Sequence, residues 1–296
     1  MAKTTTINLL QKRDIGQVLN AGFSLLASIK PLYKDILFLS APVYLLSGIC
    51  SALSEYNHLL EGFNSNFAYN IYYFLFSPFW YLSILFLLLG QSVTISIVCN
   101  HVLQYRLNGG SIYDLQATRK AIFRDIPKVF FAGFLNTIII IAACVLFLIP
   151  GIYFAVANSL VVTALVLDKK NSVVDAFSES SRLIRDNWWL AFLLGIIVSL
   201  IMLGLVWAIT ITTGIATRLI SFHSINAVQS SSYSIFLIVL SCFKTLCYSL
   251  INPISAAISS VYYYSLKETK DQVGLMESID SIGGQLTHKQ EDEGSY

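Results

Sequence analysis

The stretch from Val129 to Leu167 reads VFFAGFLNTIIIIAACVLFLIPGIYFAVANSLVVTALVL and contains no charged residue. With 39 residues it is about twice as long as the roughly 20 apolar residues that cross the apolar core of a bilayer. Ile149-Pro150-Gly151 lies near its middle, where proline cannot continue a helix and glycine accepts the geometry of a tight turn. The stretch therefore predicts two membrane-spanning helices joined in a hairpin.

The composition of the chain also indicates an integral membrane protein. Hydrophobic residues make up 55% of the 296 residues and charged residues only 12%, whereas about 25% of the residues of an ordinary soluble domain are charged. So little charge cannot cover the surface of a soluble protein. Intrinsic disorder is excluded as well, because a disordered chain combines low hydrophobicity with high net charge.

Four further charge-free stretches complete the predicted spans: residues 36–54, 62–105, 188–217 and 245–266. The stretch 62–105 contains Pro78 with no polar turn around it. We interpret it as one span, about Phe79–Val98, preceded by a kinked or interfacial segment rich in tyrosine and phenylalanine, which suit the membrane interface. Because a chain in lipid must satisfy its backbone hydrogen bonds internally, the sequence predicts an all-α integral membrane bundle of six transmembrane helices.

The basic residues predict the orientation of these spans. Seventeen of the 19 lysines and arginines precede span 1, lie between spans 2 and 3 or spans 4 and 5, or follow span 6. These segments all lie on one side of the membrane, and only Arg218 and Lys244 fall elsewhere. By the positive-inside rule, both termini and the loops 106–128 and 168–187 are expected in the cytoplasm.

A repeated segment precedes three of the spans. Residues 111–131 read SIYDLQATRKAIFRDIPKVFF, residues 172–192 read SVVDAFSESSRLIRDNWWLAF, and a fainter copy begins at residue 14. Each copy opens with a capping box, in which two side chains three residues apart bond to each other's backbone N–H groups. The pairs are Asp14 with Gln17, Ser111 with Asp114, and Ser172 with Asp175.

Apolar residues follow each cap at helical spacing, which predicts three amphipathic helices in the cytoplasmic interface. The predicted unit is interfacial helix, span, turn and span, in a pseudo-threefold repeat. Its copies cover residues of about 14–105, 106–167 and 168–266 of a single membrane domain (1–266), with 267–296 as a cytoplasmic tail. The alternative is that each segment is only a connector that keeps two spans apart.

Residues 147–192, FLIPGIYFAVANSLVVTALVLDKKNSVVDAFSESSRLIRDNWWLAF, resemble the membrane domain of bacterial glycerophosphodiester phosphodiesterases and related uncharacterised six-span bacterial families. The shared residues are Pro150-Gly151, Asp175-Ala176-Phe177, Arg185 and Trp188-Trp189. Residues 15–38 resemble the beginning of that domain. The resemblance implies a multi-pass protein of the bacterial inner (cytoplasmic) membrane. Because only 30 residues follow Leu266, we expect the membrane module without the soluble hydrolase barrel of those enzymes.

Some polar side chains fall within or beside the predicted spans. Lys244 either snorkels from the outer boundary, since the 22 charge-free residues after it already cross a bilayer, or is a buried functional cation. Three uncharged side chains are expected to bond across helices and to serve packing: Gln91, Asn136 and Asn158. The candidate interfacial residues, expected to form ion pairs or helix-end contacts, are Arg124, Asp125, Arg185, Asp186, Trp188 and Trp189.

The sequence predicts no catalytic, metal or cofactor site. The four histidines fall on separate elements, and none of the common catalytic or phosphate-binding motifs occurs. The five cysteines lie in or beside apolar runs, where buried free thiols are expected.

Three functional hypotheses follow from these observations. The first is a non-catalytic scaffold that organises membrane lipid or binds other membrane proteins or further copies of itself. The second is a transporter or permease-like protein with a polar path between the repeats, which the scarcity of charge in the spans disfavours. The third is the membrane subunit of an enzyme whose active chain is separate. No nucleic-acid partner is expected, because topology and anionic lipid explain the basic loops.

Overall fold

The computed structural model describes residues 7–60, 76–109, 114–169, 172–223, 231–276 and 279. The regular structure of these residues is helical, and six helical stretches are long and apolar enough to cross a membrane. The stretches are Lys30–Asn57, Pro78–Leu107, Leu115–Leu146, Leu148–Leu167, Val173–Thr217 and Ser234–Asp271. The prediction of six spans is confirmed. The segment 62–77, predicted to be kinked or interfacial, lies almost entirely outside the described residues.

The helices are numbered here in chain order. They are α1 (Ile15–Ser28), α2 (Lys30–Asp35), a π-helix (Ile36–Ser40), α3 (Ala41–Leu60), α4 (Pro78–Leu107), α5 (Leu115–Leu146), α6 (Leu148–Ala157), α7 (Val161–Leu167), α8 (Val173–Ile184), a 3₁₀ turn (Arg185–Asn187), α9 (Trp188–His223) and α10 (Ser231–Asp271). The 41 residues of α10 are about 60 Å long, roughly twice the thickness of the apolar core of a bilayer.

The predicted hairpin reverses direction at Phe147, two residues before the expected turn. Phe147 is extended (φ −154°, ψ 122°) and separates α5 from α6. Pro150 is the third residue of α6, where its missing N–H costs no helical hydrogen bond. The proline therefore belongs to the first turn of a helix and does not form the turn between the two helices. Gly151 makes the hairpin tight, because a Cβ atom there would lie 2.7 Å from Cα of Cys144.

The most closely packed part of the bundle lies between α3, α4 and α10. A Cβ atom on Gly48 of α3 would lie 2.9 Å from Cα of Cys242 and 3.0 Å from the carbonyl oxygen of Ser241, both on α10. α1 packs across the far part of α10, where a Cβ atom on Gly22 would lie 3.2 Å from Cα of Ile258. These glycines let the helices touch backbone to backbone.

The third and fifth spans stand at the edge of the bundle. In their most apolar 18-residue windows, 11% of the residues of the third span and 6% of those of the fifth are buried. The corresponding shares for the first, second and fourth spans are 44%, 44% and 50%. α5 and α9 therefore turn most of their apolar surface away from the rest of the chain.

Two of the three predicted capping boxes are confirmed. At the start of α1, the N–H of Gln17 donates to Asp14 Oδ1 over 2.7 Å and the Gln17 side chain accepts from the N–H of Asp14. At the start of α8, Ser172 and Asp175 make the same reciprocal pair.

The third predicted box, between Ser111 and Asp114, lies partly outside the described residues. Ser111 lies outside the described residues, and Asp114 itself caps α5 by accepting from the N–H groups of Gln116 and Ala117. α5 then continues unbroken into the third span. The segment predicted as a separate interfacial helix is thus the first part of a longer helix.

The fourth span is broken in its middle. α6 ends at Ala157 and α7 begins at Val161. Ser180 of α8, which is fully buried, closes the break: its hydroxyl donates to the carbonyl of Ala157 over 2.7 Å and accepts from the N–H of Leu160 over 3.2 Å. One side chain of α8 thus satisfies backbone groups that the interrupted helix leaves free.

Replacing this serine is expected to destabilise the fold. In Ser180→Ala, a carbonyl and an N–H group lose their partner in a buried place, and we expect the free energy of unfolding in detergent to fall by about 1–3 kcal/mol. Ser28→Ala is the matched control, because its hydroxyl is exposed and bonds only within its own helix. Equal stability of the two variants would contradict this role of Ser180.

Candidate functional site: a buried polar cluster at the basic end

Three charged or ionisable side chains from three helices meet at one buried point. Asp35 of α2 bonds to His101 of α4 (Nε2 to Oδ2, 3.0 Å) and accepts from Nε of Arg119 of α5 over 2.8 Å. Asp35 is 1% exposed and His101 is fully buried, whereas the Arg119 side chain is 47% exposed. We call these residues the Asp35 triad, and the end of the bundle where they lie the basic end.

The local helix geometry positions the triad. Asp35 is the last residue of α2, directly before the π-helix, whose wider turn interrupts the regular helical spacing. The Arg119 guanidinium contacts the Asp35 carboxylate from the partly exposed side. Besides the bond from Nε, its Nη2 lies 2.7 Å from the same oxygen, Oδ1. Because a buried carboxylate is costly unless it is paired and hydrogen-bonded, this arrangement joins spans 1, 2 and 3 at a fixed position.

A second polar contact lies next to the triad on α4. Asn100 donates to Asp125 Oδ2 over 3.1 Å and to the carbonyl of Ser96 over 3.0 Å. Asp125 is 8% exposed, and Nε of Arg124 lies 3.5 Å from its other oxygen. Within the described part of the chain, Asn100 Oδ1 and Ser96 Oγ are buried and have no partner. The predicted Arg124–Asp125 pair therefore forms, but its carboxylate points into the bundle and bonds to α4.

Ion pairs also fix the end of α10 to neighbouring helices. Lys267 Nζ lies 2.8 Å from Asp168 and 3.2 Å from the Tyr263 hydroxyl. Arg182 of α8 makes a two-pronged bond to Asp271, with distances of 2.8 and 2.9 Å. These contacts connect the basic ends of α7, α8 and α10.

Arg185 and Asp186, which were also predicted to form ion pairs or helix-end contacts, lie on the 3₁₀ turn between α8 and α9. Both are exposed, and Asp186 pairs with Lys270 of α10 at 2.8 Å. The predicted interfacial tryptophans follow directly: Trp188 stacks between Tyr153 and Phe192 (centroids at 5.8 and 5.2 Å), and Trp189 is 76% exposed.

The predicted intramembrane polar residues do not come together. Gln91 is exposed, and its side chain makes no bond to another helix among the residues that the structure describes. Asn136 is half-buried, and its Oδ1 has no partner among the described residues. Asn158 is buried at the break between α6 and α7. Lys244 is half-buried on α10, 23 residues before Lys267, or about 34 Å along the helix.

Sequence reasoning missed the Asp35 triad. Asp35 directly precedes the charge-free stretch 36–54 and did not enter the sequence analysis, and His101 was counted among four histidines on separate elements. The available signal was the pair Asn100-His101, two strongly polar residues within the long uncharged stretch 62–105. The charges in this cluster compensate one another: the Asp35 carboxylate bonds to the His101 imidazole and to the Arg119 guanidinium, each from another helix.

The fold and its paired charges define the class of the protein, a helical multi-pass membrane protein. Comparison with protein-family models, with curated proteins and with solved structures finds no match.

Proposed function

We propose that this chain is a non-catalytic integral membrane protein that organises lipid or binds other membrane proteins. The observation that supports this proposal is the exposure of the third and fifth spans. In the most apolar 18-residue window of each, only 11% and 6% of the residues are buried. In a membrane, such surfaces are covered by lipid or by the helices of another protein. The remaining spans form a packed unit that holds these two helices at its edge.

The distribution of charge agrees with this function. The Asp35 triad, the Asn100–Asp125 contact and the Lys267–Asp168 pair each join different helices. Such contacts fix helix positions, and removing one partner of a buried pair is strongly destabilising. We assign these groups to the stability of the scaffold and not to catalysis.

One observation favours the transporter alternative. Discontinuous spans are common at the binding sites of transporters, and the fourth span here is broken between Ala157 and Val161. In this chain, however, Ser180 already forms hydrogen bonds with the backbone groups at the break, the Ala157 carbonyl and the Leu160 N–H. The third hypothesis, a membrane subunit of a separate enzyme, differs from the scaffold only in the nature of its partner.

We further propose the bacterial inner membrane as the location, with both termini cytoplasmic, and the pseudo-threefold repeat with amphipathic helices before its spans. The clustering of basic residues supports the orientation. The two capping boxes at equivalent positions, Asp14/Gln17 and Ser172/Asp175, support the repeat.

The orientation has a direct test. In intact cells, a membrane-impermeant maleimide is expected to label Ile149→Cys, an 83% exposed residue in the hairpin, and to leave Lys120→Cys unlabelled until the membrane is opened. The unsubstituted protein, with its five free thiols, gives the background. Labelling of Lys120→Cys from outside would reverse the assigned orientation.

The function is tested by extracting the protein with its surrounding lipid in polymer nanodiscs, followed by mass spectrometry of lipids and proteins. We expect a lipid composition different from that of the bulk membrane, or a membrane protein present in stoichiometric amount. A co-purified enzyme lost in parallel with activity on deletion would support the third hypothesis instead. Bulk lipid composition and no partner, together with solute flux in reconstituted vesicles, would overturn the scaffold in favour of the transporter.

A further inference from the structure

A basic cavity of about 260 Å³ lies between α5 and α7 at the basic end. Its lining residues are Arg124, Asp125, Lys128, Val129, Leu165, Val166 and Lys169. Arg124 and Lys128 are four residues apart on α5 and therefore lie on the same face of the helix. Lys169 enters from the residues that follow α7.

The charge in this cavity is unbalanced. Three cations surround one carboxylate, that of Asp125, which already bonds to Asn100 and contacts Arg124. Within the described ranges, Lys128 and Lys169 take part in no ion pair, in contrast to Lys267 and Lys270 nearby. Two ammonium groups are therefore available to an anion, beside the Arg124 guanidinium that contacts Asp125. Lysine and arginine side chains commonly bind phosphate through charge-assisted hydrogen bonds.

The cavity also lies where the chain changes from basic to apolar. On α5, Arg124 and Lys128 end the charged segment and Val129 begins the charge-free stretch 129–167. On the other wall, Leu165 and Val166 lie near the end of that stretch, and Lys169 follows it after Asp168. Each wall thus carries its basic residues toward the loops and its apolar residues toward the span, which is the depth at which a lipid phosphate lies.

We propose that this cavity binds the headgroup of an anionic phospholipid, with the phosphate between Arg124, Lys128 and Lys169 and the acyl chains extending from the cavity into the surrounding bilayer. The site rests on the proposed lipid-organising function and gives it a defined lipid class and location.

The test is a titration of the purified full-length protein in neutral detergent, with bound lipid counted by native mass spectrometry. Phosphatidylglycerol is expected to bind more tightly than phosphatidylcholine. The triple variant Arg124→Gln, Lys128→Gln and Lys169→Gln is expected to bind phosphatidylglycerol about 100-fold more weakly, from roughly fivefold less binding for each of the three basic residues removed.

A matched variant removes the same number of charges elsewhere. Lys12, Lys30 and Lys120 are exposed and do not line the cavity, so their replacement by glutamine is expected to leave the affinity within threefold of the unsubstituted protein. Asp125→Asn keeps the shape of the side chain, removes the negative charge, and is expected to tighten binding. Equal loss in both triple variants, or unchanged binding in the cavity variant, would overturn the site.

Inorganic phosphate and glycerol phosphate separate the possible sources of the anion. If either binds as tightly as phosphatidylglycerol, the cavity is a site for soluble anions and the proposal is wrong. The lipid content of the nanodiscs is measured independently. A selective lipid shell that persists in the cavity variant would overturn this site while leaving the scaffold function supported.

Discussion

Asp35→Ala is expected to lower the free energy of unfolding by about 3 kcal/mol. The substitution leaves His101 buried without its carboxylate partner and separates Arg119 from α2. Breaking a buried pair from one side costs about 3–5 kcal/mol. We expect the lower end of this range, because the Arg119 side chain is 47% exposed and its guanidinium still reaches water. Equilibrium unfolding in mixed micelles measures the change.

Asp271→Ala is the matched control for this prediction. It also removes an aspartate bonded to an arginine, but the Arg182–Asp271 pair is largely exposed, with 46% and 29% of the two side chains accessible. An exposed pair contributes about 0–1 kcal/mol. If the two variants lose equal stability, the Asp35 triad does not hold the three spans together.

Gly48→Val is expected to be similarly disruptive, with a loss of about 3 kcal/mol. Even the first added carbon would lie 2.6 Å from Thr245 Oγ1, and the Cys242 and Ser241 backbone atoms lie within 3.0 Å. Backbone atoms cannot rotate aside as a flexible side chain does, so α3 and α10 must separate. Overpacking of a close contact typically costs 1–3 kcal/mol, and we expect the upper end here. The same unfolding measurement checks it.

Gly204→Val tests whether the position, and not the loss of glycine, is responsible. Gly204 lies on α9, and a Cβ atom there would meet nothing within 4 Å. We expect its stability to change by no more than about 0.5 kcal/mol. A large effect at Gly204 would show that α9 packs closely against a surface absent from the isolated chain, such as a partner or a second copy.

The spans themselves could be predicted because the requirement that creates them is local. A helix needs about 20 consecutive apolar residues to cross a bilayer. Such residues are visible in the sequence as charge-free stretches, for example 36–54, 188–217 and 245–266. The ends of the helices were predicted less well. Pro150 was expected to form the turn, but proline also suits the first turn of a helix, and the preceding Phe147 reverses the chain instead.

The candidate site could not be predicted in the same way. Asp35 and His101 are 66 residues apart in the chain, and Asp35 and Arg119 are 84 apart. No local pattern links residues at such separations. Asp35 also lies one residue outside an apolar stretch, where a carboxylate is ordinarily solvated.

The sequence by itself determined the membrane class, the number of spans and the caps of α1 and α8, because hydrophobic length and N-terminal capping depend on neighbouring residues. Only the tertiary structure decided which charges are paired and which spans are exposed. Burial depends on what packs against a residue: it made Asp35 a shared partner of two helices and left the cations around the α5–α7 cavity without enough negative charge. It also made Ser180, an ordinary polar residue of an amphipathic helix, the side chain that closes a broken span.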